Sequence, residues 1–124
     1  MLLLGCASEH KDGAPLSAEE QALLRATELY TALYMGDVER FLHGRVASDS
    51  YDDEYSRQLL DNYRRHVGSV NTDYGGVARV EASRAEPDIV LGVMQAFLVL
   101  TYGNGVREEI VVPMVEDGGR WKMK

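Results

Sequence analysis

Ile89-Val90-Leu91-Gly92-Val93-Met94-Gln95-Ala96-Phe97-Leu98-Val99-Leu100-Thr101-Tyr102-Gly103-Asn104-Gly105-Val106 is the stretch that decides the fold. It is rich in β-branched and aromatic residues, which favour a pleated strand, and it runs into Asn104-Gly105, a strong short hairpin signal of type I′. A strand over Ile89 to Tyr102 is therefore predicted, returning as Val106 to Val115, where Pro113 implies an edge position or a bulge. Upstream, Val77 to Ala85 alternates, with Ala78, Val80 and Ala82 pointing one way and Arg79, Glu81 and Ser83 the other. Glu86-Pro87-Asp88 reads as the turn between these strands. Downstream, Asp117-Gly118-Gly119 turns into a short last strand, Trp121 to Lys124. The result is a four-stranded antiparallel meander.

Ahead of the strands the hydrophobic period is helical. Ser17 and Glu20 form a capping box, with Leu16 placed as a staple, and Leu23, Ala26, Tyr30, Leu33 and Tyr34 make the buried stripe. Gly36-Asp37 ends that helix, and Asp37 caps a short second one through Val38, Phe41 and Leu42 to about Gly44. A third is predicted from about Ser50 to Val67, buried through Tyr55, Leu59, Leu60 and Tyr63. Asp52, Asp53 and Glu54 begin it and Arg64, Arg65 and His66 end it, matching the helix dipole. The acidic start lacks the central glycine and terminal glutamate of a helix-loop-helix calcium loop, so no metal is expected there. Three helices on one face of a curved four-stranded antiparallel sheet make an α+β domain.

The central strand is apolar on both faces: Val90, Met94, Ala96, Leu98 and Leu100 on one, Ile89, Leu91, Val93, Phe97 and Val99 on the other. A half-exposed antiparallel strand alternates more cleanly. Either a homodimer partner or another envelope protein covers the second sheet face, or a bulge near Gly92 reshuffles the two. Gln95, alone in this run, is a ligand-binding or interface candidate, with a satisfied or surface-facing glutamine as the alternative.

At the other end of the chain, Leu3-Leu4-Gly5-Cys6 reads as a bacterial lipobox with the lipidated cysteine last. Only five residues precede Cys6 and none is charged. Either the signal starts further upstream or Met1 to Leu4 is an ordinary apolar terminus. Residues 1–5 are read as a signal remnant, 6–16 as the lipidated cysteine and a polar tether, and 17–124 as one domain. Cys6 is the single cysteine, which excludes an internal disulfide and a cysteine-cluster metal site. The net charge of −7 disfavours nucleic acid as a partner and adhesion to anionic lipid through a basic patch. No later segment approaches the roughly 20 apolar residues of a membrane span, so attachment would come through Cys6.

Two stretches carry a family resemblance. Ala26-Thr-Glu-Leu-Tyr30-Thr-Ala-Leu-Tyr34-Met-Gly36-Asp37-Val-Glu-Arg-Phe41 resembles the first-helix signature of small bacterial lipoproteins of unknown function. Those have the cystatin-like cone fold of nuclear transport factor 2. Asp117-Gly118-Gly119-Arg120-Trp121-Lys122 is similar to the ending common in that superfamily. The resemblance implies a cone over Ser17 to Lys124, but the superfamily holds isomerases, dehydratases, cyclases, ligand-binding domains and interaction modules, so it does not choose a function. Its enzymes set a carboxylate or histidine base beside a tyrosine or acid inside the cone. Here the candidates are Tyr30, Tyr34 and Tyr63, with Asp37, His43 and Gln95 as polar groups. Asp37 already has a role as a helix cap, His66 suits a helix C-terminus, and Glu108 and Glu109 stand beside the hairpin turn, where solvation is expected. No nucleophile elbow, phosphate-cradling loop or two-histidine metal spacing is present, and no catalytic residue, cofactor or metal is assigned.

The expectation is a bacterial envelope lipoprotein, membrane-anchored through Cys6, whose cone binds a protein or small molecule without catalysis, with Tyr30, Tyr34, Tyr63 and Gln95 as ligand-binding candidates. The alternative is a small isomerase- or dehydratase-type enzyme using the cone interior. Ala7 in place of an aspartate after the cysteine permits, by resemblance to enterobacterial sorting, an outer-membrane location facing the periplasm.

Overall fold

The computed structural model describes residues 15–124; the lipobox and most of the tether fall outside them. Helix α1 spans Ala18–Tyr34. Its capping box is closed: the Glu20 amide donates to Ser17 Oγ at 3.1 Å and the Ser17 amide to Glu20 Oε1 at 2.8 Å. The apolar staple expected of Leu16 has no apolar counterpart in the first turn. Gln21 stands there, and its side-chain amide donates to the Leu16 carbonyl. Ala22, Ala26, Leu29, Ala32 and Leu33 form the buried stripe, flanked by half-buried Leu23, Tyr30 and Tyr34. Helix α2 (Val38–His43) starts at Asp37, whose carboxylate accepts from the Arg40 amide. A 3-10 turn follows at Ser48–Ser50.

Helix α3 runs Asp53–Tyr74, capped by Asp52 and ended by Gly75 at φ 76°. It therefore passes the predicted end at Val67 by two turns. Gly68 sits exposed inside it without breaking it, because Val67 and Val70 continue the buried stripe. Arg64, Arg65 and His66 are mid-helix, so they do not complement its dipole. Tyr55, expected in the core, is exposed.

Strands β1 (Val77–Asp88), β2 (Val93–Tyr102), β3 (Arg107–Asp117) and β4 (Arg120–Met123) form the expected meander in the order β1-β2-β3-β4. Register shifts at Val77/Arg79 and Ala82/Arg84 break the strict alternation read for β1, so that Val80 and Ala85 both pack against the core. Glu86-Pro87-Asp88 is strand, not turn: Pro87 pairs with Met94 on an edge strand, where a missing N–H is tolerated. The turn is residues 89–92, with the Gly92 amide bonded to the Asp88 carbonyl at 2.9 Å. Ile89, Val90 and Leu91 thus leave the central strand. The second hairpin is also not type I′ on Asn104-Gly105. Tyr102 O accepts from the Gly105 amide and Tyr102 N donates to Val106 O, leaving a three-residue loop that ends at Gly105 with φ 89°. Pro113 faces the side where β4 runs out, its carbonyl accepting from Lys124 N.

In β2 the pattern is clean, and pairing with β3 is unbroken from Met94 to Thr101. Met94, Ala96, Leu98 and Leu100 are buried under the helices with Val112, Met114 and Met123. Each large, fully buried side chain contributes roughly 1.5–3 kcal/mol. On the outer face Gln95, Phe97, Val99 and Thr101 are half-buried. There the Arg84 guanidinium lies 3.8 Å above the Phe97 ring and is bonded to Glu86 and Glu109. Part of the cover that this face needs therefore comes from its own chain.

Candidate functional site

The C-terminal half of α1 carries bulkier residues toward the sheet than the N-terminal half, with Tyr30, Leu33 and Tyr34 in place of Ala22 and Ala26. Beyond them a cavity of about 410 Å³ opens. Its apolar part is Leu33, Phe41, Leu100 and Ile110, and its polar part is Tyr30, Tyr34, Arg45, Tyr63, His66, Tyr102 and Glu108. The rings brace one another. Tyr30 and Tyr63 each meet Phe41 edge-on, with centroids 5.1 and 5.0 Å apart, and Tyr102 stacks on Tyr74 at 4.7 Å.

Three hydrogen-bonded polar groups stand around this space, one of them Arg45 with two tyrosines. Tyr34 Oη lies 2.9 Å from His66 Nε2. Arg45 donates through Nη1 to Tyr63 Oη at 3.4 Å and through Nε to Tyr51 Oη at 3.3 Å. Tyr102 Oη donates to Glu108 Oε1 at 2.5 Å. Among the described residues, the Tyr30 hydroxyl has no hydrogen-bond partner, which leaves it available to an occupant. All four tyrosines of the cavity are held protonated beyond the usual phenol range. Burial is the main cause in each. For Tyr34 it is reinforced by Tyr30 and Glu108, raising it to about 12. For Tyr102 the Glu108 carboxylate adds to burial. For Tyr30 and Tyr63 the Arg45 charge opposes burial without overcoming it. At neutral pH the cavity therefore offers uncharged hydroxyls between one cation and one carboxylate.

Of the residues expected at a site, Tyr30, Tyr34 and Tyr63 meet here and Gln95 does not. Gln95 sits on the outer face of β2, its Nε2 reaching Asp88 Oδ2 at 3.5 Å while its Oε1 is buried without a partner among the described residues. Asp37 caps α2, and His43 is exposed with its carbonyl accepting from Ser48 Oγ. Glu108 and Glu109 are both exposed, as their solvated reading implied; Glu109 is on the outer face with Arg84, and Glu108 stands at the rim of the cavity. Arg45, His66, Tyr102 and Glu108 are the residues that sequence reasoning did not place. Glu108 shares the parity of Ile110, Val112 and Met114 on β3, and His66 shares the stripe of Tyr63 and Val70 on α3; those were the available signals. Among the described residues, no group of three His, Cys, Asp or Glu is placed to hold a metal ion, and no helix is long and apolar enough to cross a membrane.

No family model matches this chain, nor does any curated protein sequence. Among solved structures, a Campylobacter jejuni protein named as an NTF2-like transpeptidase is similar, with a TM-score of 0.61 and 16% identity over 79% of this chain and 92% of that one. Helices followed by a four-stranded antiparallel sheet are thus an NTF2-like fold, as the resemblance implied. At that identity the likeness speaks of fold alone.

Proposed function

We propose that this chain is an envelope protein held to a membrane through Cys6, and that its cone binds a small amphipathic molecule without transforming it. The observation that carries the binding reading is the cavity. Its volume lies in the range of ligand sites, its walls are aromatic and aliphatic, and its polar groups converge from helices α1 and α3, strands β2 and β3 and the Arg45 segment. Its ionisable groups already have protein partners: Glu108 has Tyr102, His66 has Tyr34, and Arg45 has Tyr51 and Tyr63. That arrangement suits orientation of a guest better than proton transfer to it. Transpeptidation, the word in the Campylobacter protein's name, does not carry over. Among the described residues, the cavity lining holds no serine, threonine, cysteine or lysine to form an acyl-enzyme.

The test uses anilinonaphthalene sulfonate, an aromatic anion of suitable size, titrated by its fluorescence. Binding is expected to saturate at one site and to weaken about tenfold or more in Ile110→Trp, which fills the cavity. Equal binding by both chains sinks the reading. A second reading, an isomerase- or dehydratase-type enzyme, is favoured by one fact: Glu108 and His66 face the same space with tyrosine hydroxyls beside them. It requires that Glu108→Gln abolish turnover while leaving ligand affinity within a few-fold.

The anchor is supported by Leu3-Leu4-Gly5-Cys6. Expressed in a bacterial host behind a complete lipoprotein signal, the chain is expected to take up labelled palmitate, and Cys6→Ala to lose the label. Equal labelling of both chains, or of neither, removes the anchor.

A further inference from the structure

Ile89, Val90 and Leu91 are 92%, 93% and 58% exposed, three adjacent large apolar side chains at the tip of the β1–β2 hairpin. Turns are normally built from Gly, Pro, Asn, Asp and Ser, for which this one uses only its ends. Asp88 holds it: its carbonyl accepts from the Gly92 amide at 2.9 Å and its Oδ1 from the Leu91 amide at 3.0 Å, while Gly92 supplies φ 69°. The apolar residues are therefore presented by a hydrogen-bonded turn and fill no space in the fold. A local rule broken with no packing gain marks a position shaped by something outside the chain.

The register says where the tip points. Pro87, Met94, Met114 and Met123 form one row across the four strands. On the same side of that row lie the tip, the Gly118-Gly119 turn and the first residue of β4. Leu16 and Leu24, at the start of α1, line a groove with Arg120 and Trp121, so α1 begins at this end too. The chain from Cys6 thus enters the domain at the end that bears the tip. Nine residues separate Cys6 from Leu16, ten Cα steps that reach at most about 35 Å. Tyr34, Leu100, Tyr102 and Glu108, and with them the cavity, belong to the opposite half.

We propose that Ile89, Val90 and Leu91 form a wedge that enters the apolar edge of the lipid bilayer to which Cys6 tethers the chain, orienting the domain with its cavity away from the membrane. The inference rests on the anchored reading of Cys6. Asp88, Glu116 and Asp117 lie on the tip side of the row from Pro87 to Met123. Of the strand cations there, Arg120 pairs in register with Asp117 and Lys122 is bonded to it. No basic cluster faces the membrane, so the contact is apolar and has no need of anionic lipid. Three side chains add little to the hold of an acyl anchor, but they select one orientation among those the tether allows.

Because Cys6 is the single cysteine, it can be coupled chemically to a maleimide-headgroup lipid in phosphatidylcholine vesicles, whether or not a cell acylates it. The reporter is Val90→Trp in the full chain, read above the baseline of Trp121 in the parent, with Ile89→Trp as a second reporter. Brominated acyl chains are expected to cut the added emission to roughly half or less, unchanged between low and high salt. Val111→Trp, on the outer sheet face, is expected to keep its emission. Added emission that bromolipid leaves intact at both tip positions, or quenches equally at Val111→Trp, overturns the wedge. So does a blue shift that grows with protein concentration in the absence of lipid, which would assign the tip to a second copy of the chain. Palmitate labelling in cells fails or succeeds independently of this result, so loss of the anchor and loss of the wedge are told apart.

Discussion

The two halves of the cone are built from the same helix and the same sheet and reach opposite ends. Near the start of α1, Ala22 and Ala26 present almost no side chain, the sheet comes close, and Met94, Met114 and Met123 fill what remains. Near its end, Tyr30 and Tyr34 stand between helix and sheet, α3 supplies Tyr63 and His66, and the space is left open at about 410 Å³. Small residues allow contact, whereas rigid rings braced edge-on against each other keep elements apart. The cavity therefore follows from a change of side-chain size along one helix face. Packing holds the filled half, and hydrogen bonds between hydroxyls and rim charges organise the open one.

That contrast is tested most severely at Leu98, fully buried at the middle of β2. Leu98→Ala is expected to destabilise the domain by about 2–5 kcal/mol, read as a shift in urea midpoint at constant slope. A loss well under 1 kcal/mol would mean that the filled half is loosely packed and that the two halves do not differ as described.

The second effect belongs to the open half and appears at alkaline pH. A phenol whose folded-state pKa lies above its unfolded value of about 10 binds more protons folded than unfolded once pH passes 10. Stability is then complete below pH 10 and falls as pH rises toward the folded values, about 12 for Tyr34. Tyr30, Tyr34, Tyr63 and Tyr102 all contribute in this direction. Tyrosinate absorbance is expected to show four of the seven tyrosines ionising only as the circular dichroism of the fold collapses. Seven phenols titrating together near pH 10 in an intact fold would show that the cavity rings are not buried.

The difference between the halves also explains what could be read in advance. The helical stripe of α1 and the meander were visible because 3.6- and 2-residue periods report burial directly. Tyr30, Tyr34 and Tyr63 came from the same signal. Arg45 has no such signal, since it lies in a single-residue bridge to Met123 after Gly44, its side chain placed by hydrogen bonds to Tyr51 and Tyr63. Ending α3 at the basic triplet hid His66, because charge complementing a dipole resembles a helix end even when the helix continues through it. Glu108 is solvated, as its nearness to a turn implied, but its parity also sets it at the cavity rim beside Tyr102. Ile89, Val90 and Leu91 were read as strand because their composition is that of a buried strand; exposure at a hairpin tip contradicts composition, and only the backbone reveals it.

That last contradiction defines the smallest predicted effect. If the tip serves the fold, replacing it should cost what a buried valine costs; if it serves a surface outside the chain, the cost should vanish. Val90→Ser removes two methyl groups and adds a hydroxyl at a site 93% exposed, where no core contact is lost and the turn's bonds to Asp88 come from Leu91 and Gly92. The unfolding midpoint is therefore expected to move by no more than the equivalent of about 0.5 kcal/mol, against several for Leu98→Ala. A larger loss would tie the tip to packing within the domain, and with it the filled half would extend through the hairpin.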